Sequence, residues 1–305
     1  MAISRAQMMK ELLPGLNALF GLEYQRYDRE FEEIYETESS DRAFEEEVKL
    51  AGFGAAPVKS EGSAITYDTA QEHFTARYNH ETVAMGFAIT EEAVEDNLYD
   101  SVSARSTKAL ARAMAHTKQV KGAFPINNAF ATTNFTAGDG NALCSSRTVV
   151  DGSTVTNVLA TASDLNETSL EQAVIDISAF VDERGLLLAA RPRKLVIAPY
   201  NQFAATRILE SELRVATADN DINALRTNGT IPEGYTVNHF ITTANKKWWF
   251  LLTDVPNGMK HFQRTPLQTG MDGDFDTGNV RYKARERYSF GVSDYLGIFG
   301  SGDIT

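Results

Sequence analysis

The sequence predicts a mixed α+β fold, and three observations carry that reading. From Thr90 to about residue 121 the chain has acids at its start, bases at its end and recurrent apolar positions, the marks of one long helix. Residues 168–253 alternate helical and strand patterns, as an α/β block does. Residues 280–292 alternate in part between apolar and basic side chains, which is the period of a strand buried on one face.

Taken in order, residues 4–20 read as a short amphipathic helix interrupted by Pro14, with no small-residue cleavage site behind it, so a secretion signal is not expected. Residues 21–47 read as an extended arm. Tyr24, Tyr27, Phe31, Ile34 and Tyr35 gain by burial there, which implies a partner surface. Residues 52–80 contain Gly, Pro and a Glu61-Gly62-Ser63 turn between β-like stretches at 64–67 and 73–78. So polar a segment cannot close its own core, and it is expected to project from the domain and serve assembly.

Thr90 is the expected cap of the long helix, with Glu91, Glu92, Glu95 and Asp96 at its positive end and Lys108, Arg112 and Lys118 towards the other. Val94, Leu98, Val102, Ala109, Ala113 and Val120 supply its apolar stripe, and Pro125 its stop. After a turn-rich stretch, Thr168 and Glu171 suggest a capping box, Leu170, Val174, Ile177 and Val181 a helix face, and Gly185 an end. Strands are expected at 194–198, 235–241 and 247–253, with a helix from Pro199 to Leu209 between the first two. In the final strand Val280, Tyr282, Ala284, Tyr288, Phe290 and Val292 form one face, and Arg281, Lys283, Arg285 and Arg287 the other.

Composition narrows the function. The 305 residues can bury a substantial core, and 43% hydrophobic with 23% charged residues is ordinary for a globular chain. No apolar run is long enough to span a membrane, and Cys144, the only cysteine, excludes an internal disulfide. The net charge of −12 argues against a protein that grips phosphates. Eleven acids against three arginines lie between Glu23 and Glu47, while Arg281, Lys283, Arg285 and Arg287 are offset locally only by Glu286.

The order of these elements resembles the tailed-phage major capsid family, the fold first described for a Hong Kong phage. The local sequences GFGAAPVKSEGSAITYD (52–68), AITEEAVEDNLYD (88–100), KLVIAPYNQFAATRILES (194–211) and SFGVSDYLGIFG (289–300) carry the resemblance. It implies an N-terminal arm and first peripheral strand over 1–51 and an extended loop over 52–80. A peripheral domain with a spine helix follows over 81–126, an axial α/β domain over 127–265, and a return strand with the C-terminal tail over 266–305. It also implies self-assembly as hexamers and pentamers into an icosahedral head around double-stranded DNA, with a portal, a separate scaffolding protein and room for a decoration protein. The scaffold is expected to be separate because the chain starts at Met1 almost directly with the arm. The virion is the implied location, after the host bacterial cytoplasm. Expected intersubunit contacts are Glu45, Glu46, Glu47, Lys59, Glu61, Tyr67, Glu91, Glu92, Arg281, Lys283, Arg285 and Arg287. Lys59 is the one lysine of the loop, and no covalent cross-link is expected of it.

The other chemistries are weaker. The five histidines form no HExxH pair. Asp272, Asp274 and Asp276 imitate a calcium loop, yet Thr277 and Lys283 occupy the positions that need glycine and glutamate. Pro57 replaces the third glycine of a phosphate-binding pattern begun by Gly52 and Gly54, and no GxSxG elbow occurs. Trp248, Trp249 and Phe250 read as sheet core. No cofactor, metal or catalytic residue is therefore expected. An encapsulin-type shell subunit is the alternative within the fold, and an enzyme with an unrecognised site the alternative outside it.

Overall fold

A computed structural model describes residues 5–90, 92, 99–213, 221–273 and 279–302. Helix α1 (Arg5–Gln25) leads to a 3-10 turn at Glu30–Glu33, then to strands β1 (Glu36–Ser39), β2 (Phe44–Ala51), β3 (Gln71–Asn79) and β4 (Glu81–Ile89). Helix α2 (Tyr99–Asn127) precedes a small hairpin of β5 (Ser146–Thr148) and β6 (Thr154–Thr156). The central block holds α3 (Glu167–Ser178), β7 (Pro192–Ile197), α4 (Gln202–Glu210), α5 (Ala224–Thr227), β8 (Tyr235–Val237) and β9 (Trp249–Thr253). The chain closes with β10 (Met259–Gly273), β11 (Val280–Val292) and β12 (Ile298–Ser301).

Two four-stranded sheets organise the molecule. The peripheral sheet has the order β1-β10-β11-β4, and the axial sheet the order β12-β9-β7-β8. The axial sheet is covered on both faces, which is why β9 can be a continuous apolar run instead of an alternating one. Leu195, Ile197, Trp249, Leu251 and Phe299 pack with Leu170, Ala173 and Ile177 of α3. Val196, Phe250, Leu252 and Ile298 face the opposite way, onto Phe31, Ile34, Tyr35, Ile126, Met259 and Val292. That second cluster joins the two halves of the molecule. Trp249 and Phe250 are thus core, as expected.

On the peripheral sheet, alternation along β11 sends Tyr282 and Ala284 inward onto Leu16, Phe20 and Tyr24 of α1 and onto Leu110, Ala111 and Met114 of α2. Arg281, Lys283 and Arg285 point the other way and are exposed. From Ser289 onward both faces are covered, because Gly291 lies under the Tyr78 ring and Ser289 is bonded to His80.

Several expectations change. The arm's Phe31, Ile34 and Tyr35 are buried against their own chain, so they need no outside partner. Helix α1 runs through Pro14 to Gln25, and α2 through Pro125 to Asn127; a proline removes one helical bond and kinks the rod, but packing of the neighbouring turns holds it together. The expected start of the long helix, with Glu91, Val94 and Leu98, lies outside the described residues. Its buried face is Leu110, Ala111, Met114, Ala115, Lys118, Gln119, Ala123 and Ile126, whereas Ala109 and Val120 are exposed. The hydropathy pattern misleads because Lys118 and Gln119 belong to the inner stripe. Helix α3 is capped by Asn166 with Ser169 as the reciprocal partner, two residues ahead of the expected box, and ends at Ser178. Gly185 instead sits at φ +77° in the following turn. Strand β8 is shorter than the expected 235–241, and 64–67 is not a strand in the chain by itself.

The C-terminal region departs furthest. Strand β10 spans fifteen residues, straddles the expected domain boundary at 265, and passes Pro266 by two breaks of register between Gln263 and Gln268. The chain then crosses back: Tyr295, Leu296 and Phe299 enter the axial core, and β12 forms an edge of the axial sheet instead of a peripheral tail.

Candidate assembly surfaces

Residues 52–70 link β2 to β3, contain only the turn at 61–62, and are exposed almost throughout. The projecting segment is therefore narrower than the expected 52–80, because 71–79 pairs with β2. Its apolar side chains face solvent: Val58 is 98% exposed, Tyr67 85% and Ile65 59%. Fully solvated apolar groups on a segment without its own core signify a partner surface.

The base of the segment is fixed to a turn that follows α3. Both carboxylate oxygens of Asp68 accept hydrogen bonds from Arg184 Nη2, at 3.0 and 2.9 Å, and Oδ2 also accepts from the Gly54 N–H at 2.8 Å. The Gly54 bond, then that of Thr69 and the Arg184 charge, hold the Asp68 carboxyl below its ordinary value. Beside it His73 Nε2 lies 3.4 Å from Glu183, whose other oxygen accepts from Tyr295 Oη at 2.9 Å. Lys49 of β2 contacts Asp294. The projecting segment thus leaves from a rigid base.

The acids and bases named from sequence fall into distinct places. Glu45 accepts from Ser40 Oγ at 2.7 Å, Glu46 lies 3.6 Å from Arg77, and Glu47 pairs at 2.5 Å with the buried Lys260, which also reaches Glu38 at 2.9 Å. These three serve their own chain first. Lys59, Glu61 and Tyr67 are exposed on the segment, and Glu92 is exposed; Glu91 lies outside the described residues. Arg287 is half-buried and donates to the Ala43 carbonyl at 3.4 Å, so it meets the arm of its own chain. Arg281, Lys283 and Arg285 form an exposed basic row. Register places Ala88, Gly86 and Ala84 of β4 beside them on one flank and Asp272, Gly270 and Gln268 of β10 on the other, so Arg281 stands opposite a carboxylate while Lys283 lies between two glycines.

Sequence reasoning missed Glu286, which sits on the inward side of β11 between Ala284 and Tyr288. It is 1% exposed and 3.2 Å from Lys118 Nζ, itself 8% exposed, and it accepts from Tyr24 Oη at 3.4 Å. Burial, opposed by Lys118, raises the Glu286 carboxyl above its ordinary value. The signal was available: two-residue spacing from Ala284 and Tyr288 assigns Glu286 to the inner face, opposite to its charge.

Among the described residues no cluster of three or more His, Cys, Asp or Glu could hold a metal, and no helix is long and apolar enough to cross a membrane. Residues 274–278 of the acidic turn lie outside the description. Burial pushes the Cys144 thiol up to about 12, so it is not a ready nucleophile.

The fold is similar to that of several solved capsid and encapsulin chains. The capsid of an empty GTA particle superposes with a TM-score of 0.58 at 15% identity, covering 90% of this chain and 90% of that one. The capsid of Myoviridae phage XM1 gives 0.52 at 13%, covering 89% of each. The SrpI encapsulin of Synechococcus elongatus PCC 7942 gives 0.52 at 10%, covering 90% of this chain and 86% of that one. Among curated proteins no sequence match is found. Residues 74–300 match the phage capsid protein family, and the chain belongs to it.

Proposed function

We propose that the chain is the major capsid protein of a tailed phage. Copies assemble as hexamers and pentamers into a closed icosahedral head that confines double-stranded DNA, and the subunit's work is mechanical. The observation that carries this reading is the exposed 52–70 segment, fixed at its base yet without a packing partner along its apolar residues, in a member of the phage capsid family. A portal and a scaffolding function act during assembly in the host bacterial cytoplasm, and a decoration protein can be accommodated on the finished virion. The net charge of −12 gives the chain no overall attraction for DNA, which suits a shell that holds its genome without sequence-specific binding. Replacing residues 55–67 with a short Gly-Ser linker keeps β2, β3 and the Asp68 anchor. The expected result is a subunit of unchanged melting temperature that no longer builds closed particles by electron microscopy. Normal particles from that variant would overturn the reading.

The row Arg281, Lys283 and Arg285 belongs to the same proposal as a contact for acidic surfaces of neighbouring subunits. One exposed ion pair contributes only about 0–1 kcal/mol, but a shell repeats it at every equivalent contact. Reversing Lys283 and Arg285 to glutamate should lower particle yield while leaving subunit melting unchanged, and high salt should narrow the difference between variant and wild type. Unaltered yield at low salt would refute this contact.

The fold likeness to an encapsulin keeps a second reading in play, a shell around enzymes. Nuclease-protected DNA in particles from infected cells supports the phage head; particles filled with protein cargo support the encapsulin.

A further inference from the structure

The chain spreads its positive charge unevenly. Residues 101–138 contain five lysines or arginines and no aspartate or glutamate, in a chain of net charge −12. Two of the five are neutralised within the fold, Lys118 by Glu286 and Lys121 by Glu81. The other three, Arg105, Lys108 and Arg112, lie with His116 on the exposed face of α2. None of the three forms an ion pair among the described residues.

Helical spacing makes this separation. Thr107, Leu110, Ala111, Met114 and Lys118 turn inward, and positions 105, 108, 112 and 116, three or four apart, form one row on the opposite face. The row is about 16 Å long. Beside it Glu23 and Tyr27 close a groove of about 430 Å³ against Lys108, Arg112 and His116. Glu23 does not neutralise the row, since it lies 3.6 Å from Arg26 and accepts from Tyr27 Oη at 3.4 Å. Like charges at this helical spacing oppose one another unless an anion lies against them.

The chemistry of the row selects the anion. Only Ala109 and Ala113 stand between its charges, so it offers no apolar anchor of the kind that holds a peptide. The only amide side chain between positions 101 and 121, Gln119, is buried, so no bidentate reader of base edges faces outward. A line of cations over small residues is the footprint of a phosphate contact. A duplex carries one phosphate charge for about 1.7 Å of its axis, so several fall along the row.

We infer that Arg105, Lys108 and Arg112, on the exposed face of α2, bind the phosphate backbone of double-stranded DNA without regard to its sequence, and that this face is the part of the subunit the packaged genome meets. The inference rests on the phage-head reading and specifies one surface within it. Screening over about 8 Å at 0.15 M salt lets such a row act apart from acids elsewhere on the chain.

The first arm of the test uses the unassembled full-length subunit and a short duplex of random sequence. Three phosphate contacts predict that affinity falls about 40-fold between about 50 and 200 mM salt. The combined variant Arg105→Gln, Lys108→Gln and Arg112→Gln should lose most of the binding and its salt dependence at unchanged melting temperature. Lys246→Gln, at an exposed lysine of the axial half, should bind as the wild type does. The second arm acetylates intact particles and reads each lysine by mass spectrometry. Lys108 should react several-fold more slowly in DNA-filled particles than in emptied ones, while Lys246 reacts alike in both. Equal duplex binding by wild type and triple variant, or equal reactivity of Lys108 in filled and emptied particles, would overturn the proposal. So would polyglutamate that displaces the duplex at a lower concentration of charge, which would assign the row to an acidic protein. Wild-type particles that hold no DNA would remove the phage-head reading itself, and the duplex arm would still decide what the row binds.

Discussion

Replacing Glu286 with alanine would leave the Lys118 ammonium buried with no carboxylate beside it. At an effective dielectric constant of about 20, the attraction across the 3.2 Å contact is about 5 kcal/mol. Much of that is offset by the dehydration of two charges, so the pair contributes little net stability over an apolar substitute. Removing one partner is different, because the remaining charge keeps its dehydration without its attraction. The expected loss is about 3–5 kcal/mol for Glu286→Ala, measured by urea denaturation of the unassembled subunit. The rings of Tyr288 and Phe31, 4.9 and 5.3 Å from Lys118 Nζ, recover a part of it. Lys118→Met with Glu286→Leu should restore most of the loss, since both sites lie among apolar neighbours. A double-mutant cycle with coupling of about 2 kcal/mol or more is therefore expected. A Glu286→Ala loss below about 1 kcal/mol, or a double variant as unstable as the sum of the singles, would refute the account of a buried pair holding α2 against β11.

Two further outcomes follow from the same core. His261 is 1% exposed, and burial followed by the Lys118 charge pushes it down from its ordinary 6.5 to about 3. The folded chain therefore keeps the neutral ring, and the unfolded chain binds a proton more readily. The stability this provides is fully present above pH 6.5 and is lost as pH falls towards 3, at about 1.4 kcal/mol for each pH unit, relative to His261→Phe. Parallel pH profiles of denaturation for the two proteins would refute it. A methyl group on Gly297 would lie 2.4 Å from the Cα of Gly258, backbone against backbone, where no side chain can move aside. Gly297→Ala should lower stability by about 1–3 kcal/mol or more by denaturant titration, whereas Gly21→Ala, which has open space, should not.

The sequence by itself determined those features that depend on local period and spacing. The two-residue alternation of β11, the apolar runs of β7 and β9, and the polar, turn-rich character of 52–70 were all legible, because each follows from which face meets water. The order of these elements was enough to suggest a capsid subunit. Only the tertiary structure decided where an element's neighbours come from. Phe31 and Tyr35 are buried by their own chain, Lys118 turns inward because Glu286 is there to meet it, and Pro266 interrupts pairing without ending β10, since a bulge absorbs the missing donor. The C-terminal strand joins the axial sheet because β9 and Asn157 offer it partners nearly fifty and one hundred and forty positions earlier in the chain. Such pairings follow from contacts between distant segments, and no local pattern of hydrophobicity records them.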